Sequence, residues 1–318
     1  MIAMHSEALV KLALGNLKCS QKELATHLDV SPAQITKWKK GEHMSLTMQD
    51  RLKKLADIGE LNPAFVLWSG SKENSLKWKK LIHYLAELAH DGAETGYYTR
   101  PLEDEEGTLC WSTFHTLQEM GVSIPKTFPK ELDVDYNNLE DGELQELLEN
   151  PYSSVIYEIY ASLNSVYGFY AAYIYDLIHD DHLDLFDPPG CDIEACLLSL
   201  SACKIEVDND IAPNFRKFRH QTLSDYAKWI NVVKEKAFRA GVPLKAELLE
   251  MVYKSTDELD HEAEAESLGI NSSRLHPDIY MNELLVGMRI IHQVLPAIMK
   301  KLEIDEEFEL DPTDFSIR

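Results

Sequence analysis

Residues 20–41, Ser-Gln-Lys-Glu-Leu-Ala-Thr-His-Leu-Asp-Val-Ser-Pro-Ala-Gln-Ile-Thr-Lys-Trp-Lys-Lys-Gly, leave the chain little choice of conformation. Ser20 and Glu23 have the spacing of a capping box, in which each side chain satisfies a backbone N–H of the other at a helix start. Leu24, Ala25 and Leu28 fall on one face of that helix, and the small Ala25 admits a close neighbour. Asp29-Val30 is left as the turn. Ser31 can cap a second helix and Pro32 takes its first position, where a missing N–H costs nothing. Ile35 and Trp38 then face inward, Gln34, Thr36, Lys37 and Lys40 face outward, and Gly41 ends the helix. The reading is two short helices locked against each other by a tight turn.

The chain around this pair is almost wholly helical in pattern, with no convincing alternating strand. The first 70 residues hold five short helical stretches. Ser69–Ser75 reads as a linker or a helix entry, and a helix is expected from Leu76 to about His90. Charge divides the 318 residues sharply. Residues 1–90 carry 13 Lys and Arg against 9 Asp and Glu, while residues 91–318 carry 18 against 45. The overall net of −23 therefore hides a basic N-terminal part that alone can approach a polyanion without strong repulsion.

On these residues the N-terminal region resembles the Cro and phage-repressor (XRE) family of helix-turn-helix domains. The S-Q-x-E-L-A start, the V-S turn, the I-x-x-W face and the closing glycine carry the resemblance. Thr47–Ile58 would be a fourth helix, and Asn62–Gly70 resembles the family's closing segment. The resemblance implies a domain at 1–70 that sets its second motif helix into the major groove of double-stranded DNA. By position, Gln21 would bind a phosphate and brace that helix. Pro32, Ala33 and Lys37 would face the bases, with Gln34 and Thr36 nearby, and Lys39, Lys40 and His43 would meet phosphates. Lys22 and Ser31 belong to the same DNA-facing set. Pro32 and Ala33 can touch a thymine methyl but offer no side-chain hydrogen bond to a base edge. Selectivity is therefore expected to lean on Lys37, Gln34 and DNA shape.

The remainder, 71–318, reads as a larger acidic helical domain, making the whole chain all-α. Glycines, prolines and the acidic run Glu103–Glu106 make 91–140 its irregular part. Long helical stretches are expected at about 152–186, 191–207, 213–240, 243–268 and 277–302. Half of the 14 tyrosines lie between Tyr152 and Tyr175, and no charge occurs from Ile159 to Tyr175. Asn164, the serines and acidic flanks argue against a membrane span, so this is expected to be a core helix, with a tyrosine-lined groove as the alternative. Met281, Leu284, Met288, Ile291, Leu295, Ile298 and Leu302 keep the 3–4 spacing of a bundle or coiled-coil seam, buried in the domain or in a dimer.

Sites of chemistry are weakly marked. Five cysteines with no CxxC pair speak against zinc knuckles and redox motifs, and Cys196 and Cys203, seven apart, are expected to be buried thiols. His179-Asp180-Asp181-His182 lacks the order of a metalloprotease helix and any third ligand, so it reads as a solvated helix end. Residues 257–266 form an acidic exposed face. Arg216, Arg219 and His220 are reminiscent of a ribonuclease site but with the wrong spacing. No catalytic residue, metal or cofactor is expected, and the start of the chain lacks a secretion signal, which suggests the cytoplasm. The expected function is a homodimeric, sequence-specific transcriptional regulator. Its C-terminal domain would dimerise and take a small molecule, a peptide or a basic protein as input. The alternative is an autoregulating effector of a phage-defence or toxin–antitoxin system.

Overall fold

The computed structural model describes residues 2–239, apart from 94–97, 106, 140, 172–174, 180, 182–184 and 186–188, together with 288, 290–291 and 294–302. Among the described residues all regular secondary structure is helical, with no strand. Five helices come first: α1 (Ile2–Leu17), α2 (Gln21–Leu28), α3 (Pro32–Lys39), α4 (Leu46–Ala56) and α5 (Pro63–Ser69). Leu9, Val10 and Ala13 of α1 are fully buried and run beneath α3, α4 and α5, so α1 is the spine on which the small N-terminal core condenses. His5 and Asn62 meet at 3.3 Å, which ties the start of α1 to the residue that caps α5. Burial there pushes the His5 pKa down, helped by the N-terminal amine and Lys53.

A second, larger core follows. It is built on α6 (Lys72–Asp91) and α10 (Pro151–Phe169), with α8 (Leu109–Glu119) and α12 (Pro189–Ala202) packed around them. The short α7 (Arg100–Glu103) and α9 (Asp141–Glu149) close its edges, and α13 (Phe215–Arg239) lies along α12. Trp78 is the centrepiece, with Phe114, Phe128 and Tyr152 edge-on around it at 5.0–6.0 Å. Such T-shaped contacts add to the apolar area that each ring removes from water. As far as Tyr170 the uncharged tyrosine-rich stretch is core, as its pattern implies, whereas Tyr175 is exposed. Tyr160 is fully buried and shares a 2.6 Å hydrogen bond with Thr113, while Asn164 accepts from Thr99 and donates to the Ala89 carbonyl. No described helix is long and apolar enough to cross a membrane.

The two cores meet on α5. Adjacent helix residues point about 100° apart, so a single turn can serve two sides. Phe65 enters the larger core and Val66 the smaller one. Residues 69–75 are a helix entry: Ser71 caps α6, accepting from the Asn74 N–H, and the buried hydroxyls of Ser69 and Ser75 lie 2.6 Å apart. Lys126 then reaches across to donate to the carbonyls of Leu67 and Trp68 at 2.9 and 2.8 Å, closing the C-terminal end of α5. Gly70 sits between them at φ +91°, where a Cβ would come within 2.8 Å of the Lys126 carbonyl oxygen.

Several expectations are corrected. The helix expected at about 152–186 is α-helical to Phe169, widens to a π turn at 170–171, and is helical again in α11 (Tyr175–Ile178), ending before His179 and short of 186. Gly168, a poor helix former, lies just before the π turn. The irregular stretch 91–140 contains α8, whose Phe114 and Leu117 are central to the larger core. Cys196 is exposed whereas Cys203 is buried. The seven-residue spacing would align them only on an unbroken helix, and α12 ends at Ala202, before Cys203. The stretch expected at 243–268, the acidic run at 257–266, and Met281 and Leu284 lie outside the described residues.

Candidate nucleic-acid interface

The geometry of α2 and α3 follows from their caps. The Ser20 N–H donates to the Glu23 carboxylate at 2.7 Å, and the Glu23 N–H donates back to Ser20 Oγ at 3.3 Å. Donation from the Ser20 backbone, then from its hydroxyl, holds the Glu23 carboxyl below its usual pKa. Leu24, Ala25 and Leu28 are buried. Asp29 ends α2 in the left-handed region at φ 54°, a conformation that Asp tolerates better than most residues. Its N–H and that of Val30 return to α2 carbonyls, which fixes the angle at which the chain leaves. Ser31 then accepts from the Gln34 N–H at 3.2 Å, Pro32 opens α3, and Ile35 and Trp38 are buried against α1 and α2. Gly41 closes the unit at φ +85°.

With Ile35 and Trp38 anchored, the opposite face of α3 is presented to solvent. Lys22, Ser31, Pro32, Ala33, Thr36, Lys37, Lys39, Lys40 and His43 are exposed, and Gln21 and Gln34 are partly buried. Two of these side chains are already occupied locally. The Thr36 hydroxyl donates to the Pro32 carbonyl at 3.1 Å, and Ser31 is held by its cap. Lys37 has one loose ionic neighbour, Glu42 at 3.9 Å, an exposed pair that a phosphate can displace at little cost. The face therefore offers cations at Lys22, Lys37, Lys39 and Lys40, with small apolar surface at Pro32 and Ala33 between them.

Sequence reasoning passed over one neighbouring feature. Ser45 precedes α4 in an extended conformation but makes no side-chain cap bond, and Leu46 beside it is the most exposed large apolar residue among those described, at 77%. The first amides of α4 are thus left for another acceptor, as at helix N-termini that bind phosphate. A serine before a helical pattern was the available signal; whether its hydroxyl turns inward was not legible.

A second concavity lies in the larger domain, about 590 Å³, between α12, α13 and the end of α8. Lys217, Gln221, Asp225 and Trp229, each four residues apart, give it one stripe of α13, and Cys196 and Glu119 face them. Arg216, Arg219 and His220, singled out from sequence, are exposed on α13 but are not among its lining residues. His179 is exposed and stacks on the Tyr175 ring at 4.0 Å; Asp180 and His182 lie outside the described residues.

Residues 10–65 match a family model described as helix-turn-helix. The match runs from Val10 in α1 to Phe65 in α5, almost the same span as the small core from Leu9 to Val66. No curated protein and no solved structure matches the chain.

Proposed function

We propose that this chain, whose residues 10–65 form an XRE-type helix-turn-helix DNA-binding domain, is a sequence-specific transcriptional regulator that binds its operator as a homodimer. The observation that carries the reading is α3, anchored by buried Ile35 and Trp38 while Pro32, Ala33, Thr36 and Lys37 stand exposed. The concentration of acidic residues beyond residue 90 supports it, because it leaves the N-terminal domain as the part suited to a polyanion.

One recognition helix reads only a few base pairs, so repressor-type domains work in pairs on half-sites about 34–36 Å apart. Self-association is supported by the apolar seam: Met288, Ile291, Leu295, Ile298 and Leu302 are all exposed, on and beside the helical residues 294–301. The larger domain supplies the input. Its cavity between α12 and α13, with three aromatic residues and both signs of charge, suits a small amphipathic ligand.

The test is selection of binding sites from a random duplex pool with the full-length protein, beside a Gln21→Ala/Lys37→Ala variant. The expected result is an inverted repeat with half-sites about one helical turn apart, lost in the variant. Recovery of no common sequence would overturn the reading.

A further inference from the structure

Three donors of different chemistry converge on the side of the larger domain. His83 comes from α6, Asp104 from the residue that ends α7, and Cys110 from the first turn of α8. One ligand atom from each lies within 4.8 Å of the other two. We propose that His83, Asp104 and Cys110 form a binding site for a zinc-class divalent cation, with solvent as the fourth ligand.

The donor set selects the metal. A thiolate excludes magnesium and calcium, which take oxygen ligands, and one N, one O and one S suit zinc. At zinc's usual bond lengths, tetrahedral donors stand about 3.3–3.6 Å apart. The His83 Nε2 to Asp104 Oδ2 separation is 2.8 Å, so that hydrogen bond opens by roughly 0.5 Å, and the sulfur moves by no more than about 1.2 Å. These are side-chain rotations, not movements of the helices.

The surroundings fit a cation better than they fit the three groups alone. The Asp104 side chain is only 5% exposed, and it accepts from His83 at 2.8 Å and from the Leu109 N–H at 2.7 Å beside the buried Cys110 thiol. A divalent cation suits that pairing. As the metal–sulfur bond forms, the thiol proton leaves to the buffer and the thiolate, carboxylate and cation neutralise one another. Asp104 also holds its backbone at φ 54°, and Leu109 Nα–H orients its second oxygen, the kind of support that metal-ligating carboxylates receive. The His83 side chain is 41% exposed and gives the route for entry and the place for solvent.

Cobalt(II) is the probe, because thiolate ligation produces a near-ultraviolet charge-transfer band that oxygen and nitrogen ligation do not. Untagged full-length protein, stripped with chelator and kept reduced, is titrated with cobalt and then with zinc. The expected result is a saturable band at a single equivalent, displaced by zinc. Cys110→Ser should abolish the band, and His83→Gln, which keeps a donor on the Asp104 side but loses the imidazole ligand, should weaken affinity at least about tenfold. Cys196→Ser, which removes an exposed cysteine, should leave the band unchanged. Absence of a saturable band in the wild type would overturn the site, as would a band that survives Cys110→Ser or vanishes with Cys196→Ser. Circular dichroism of each variant shows whether a lost band reflects a lost ligand or a lost fold.

Discussion

Asp104 shows how much a single side chain can be asked to do. It ends α7, accepts from the first amide of α8, and takes a hydrogen bond from His83, all from a nearly buried position. Its folded pKa lies below its unfolded value near 3.8, so its contribution to stability is fully present above that value and is lost as pH falls through the folded pKa. In chelator-treated protein, Asp104→Asn should therefore be less stable than wild type at neutral pH. The gap should close as pH falls below about 3.8, measured by urea denaturation across pH. A gap independent of pH would mean that the carboxylate's charge plays no part. Gly70 is a second case, at the junction of the two cores. Gly70→Ala must accept φ +91° and a Cβ 2.8 Å from the Lys126 carbonyl, whereas Gly59→Ala faces φ +61° but open space. The expected costs are about 1–2 kcal/mol for Gly59→Ala from the left-handed backbone alone, and distinctly more for Gly70→Ala.

At the level of elements, serines before helices carry much of the N-terminal architecture, and they are not equivalent. Ser31 accepts from the Gln34 amide, while Ser45 has the same extended backbone and makes no such bond. Ser31→Ala should cost about 1 kcal/mol and Ser45→Ala within about 0.5 kcal/mol in thermal or urea unfolding without DNA. Equal losses would mean that the hydroxyl bond is not the source. The same contrast marks what could be read in advance. The α2–α3 pair was legible because its caps, turn and inner face are local, each set by residues within four positions of one another. The DNA-facing set followed from Ile35 and Trp38, since fixing the buried side of a helix fixes its other side. The π turn at 170–171 and the length of α12 were not legible, because a run of apolar residues does not mark where a helix widens or ends. Nor was the approach of His83, Asp104 and Cys110, which are 21 and 6 positions apart and are joined only by the packing of α6 against the α7–α8 turn. The stripe of α13 in the cavity was obscured because the conspicuous residues, Arg216, Arg219 and His220, lie on its other side.

On the scale of the molecule, α5 decides whether the DNA-binding domain moves freely or as part of the larger body. Phe65 and Val66 bind it into both cores, and Lys126 and Asn74 hold its end with hydrogen bonds to backbone, including Asn74 to the Ser69 carbonyl at 3.3 Å. A recognition helix fixed in this way takes its position from the larger domain. Whatever pairs two larger domains then sets the distance between two α3 helices, and the exposed seam is the candidate. Ile291 and Leu295 are 59% and 49% exposed and four positions apart in the sequence. Fully burying each such side chain contributes about 1.5–3 kcal/mol, and a charge placed there has to be desolvated instead. Leu295→Asp should therefore shift the protein from dimer to monomer in sedimentation equilibrium while leaving its helical signal intact. Operator affinity should fall by about 100-fold or more, because the second half-site is no longer delivered by the first. Binding to a single half-site should be unchanged, since α3 and its anchors are untouched. A variant that stays dimeric would place the dimer contact elsewhere, and a monomer that retains full operator affinity would mean that the two half-sites are read independently.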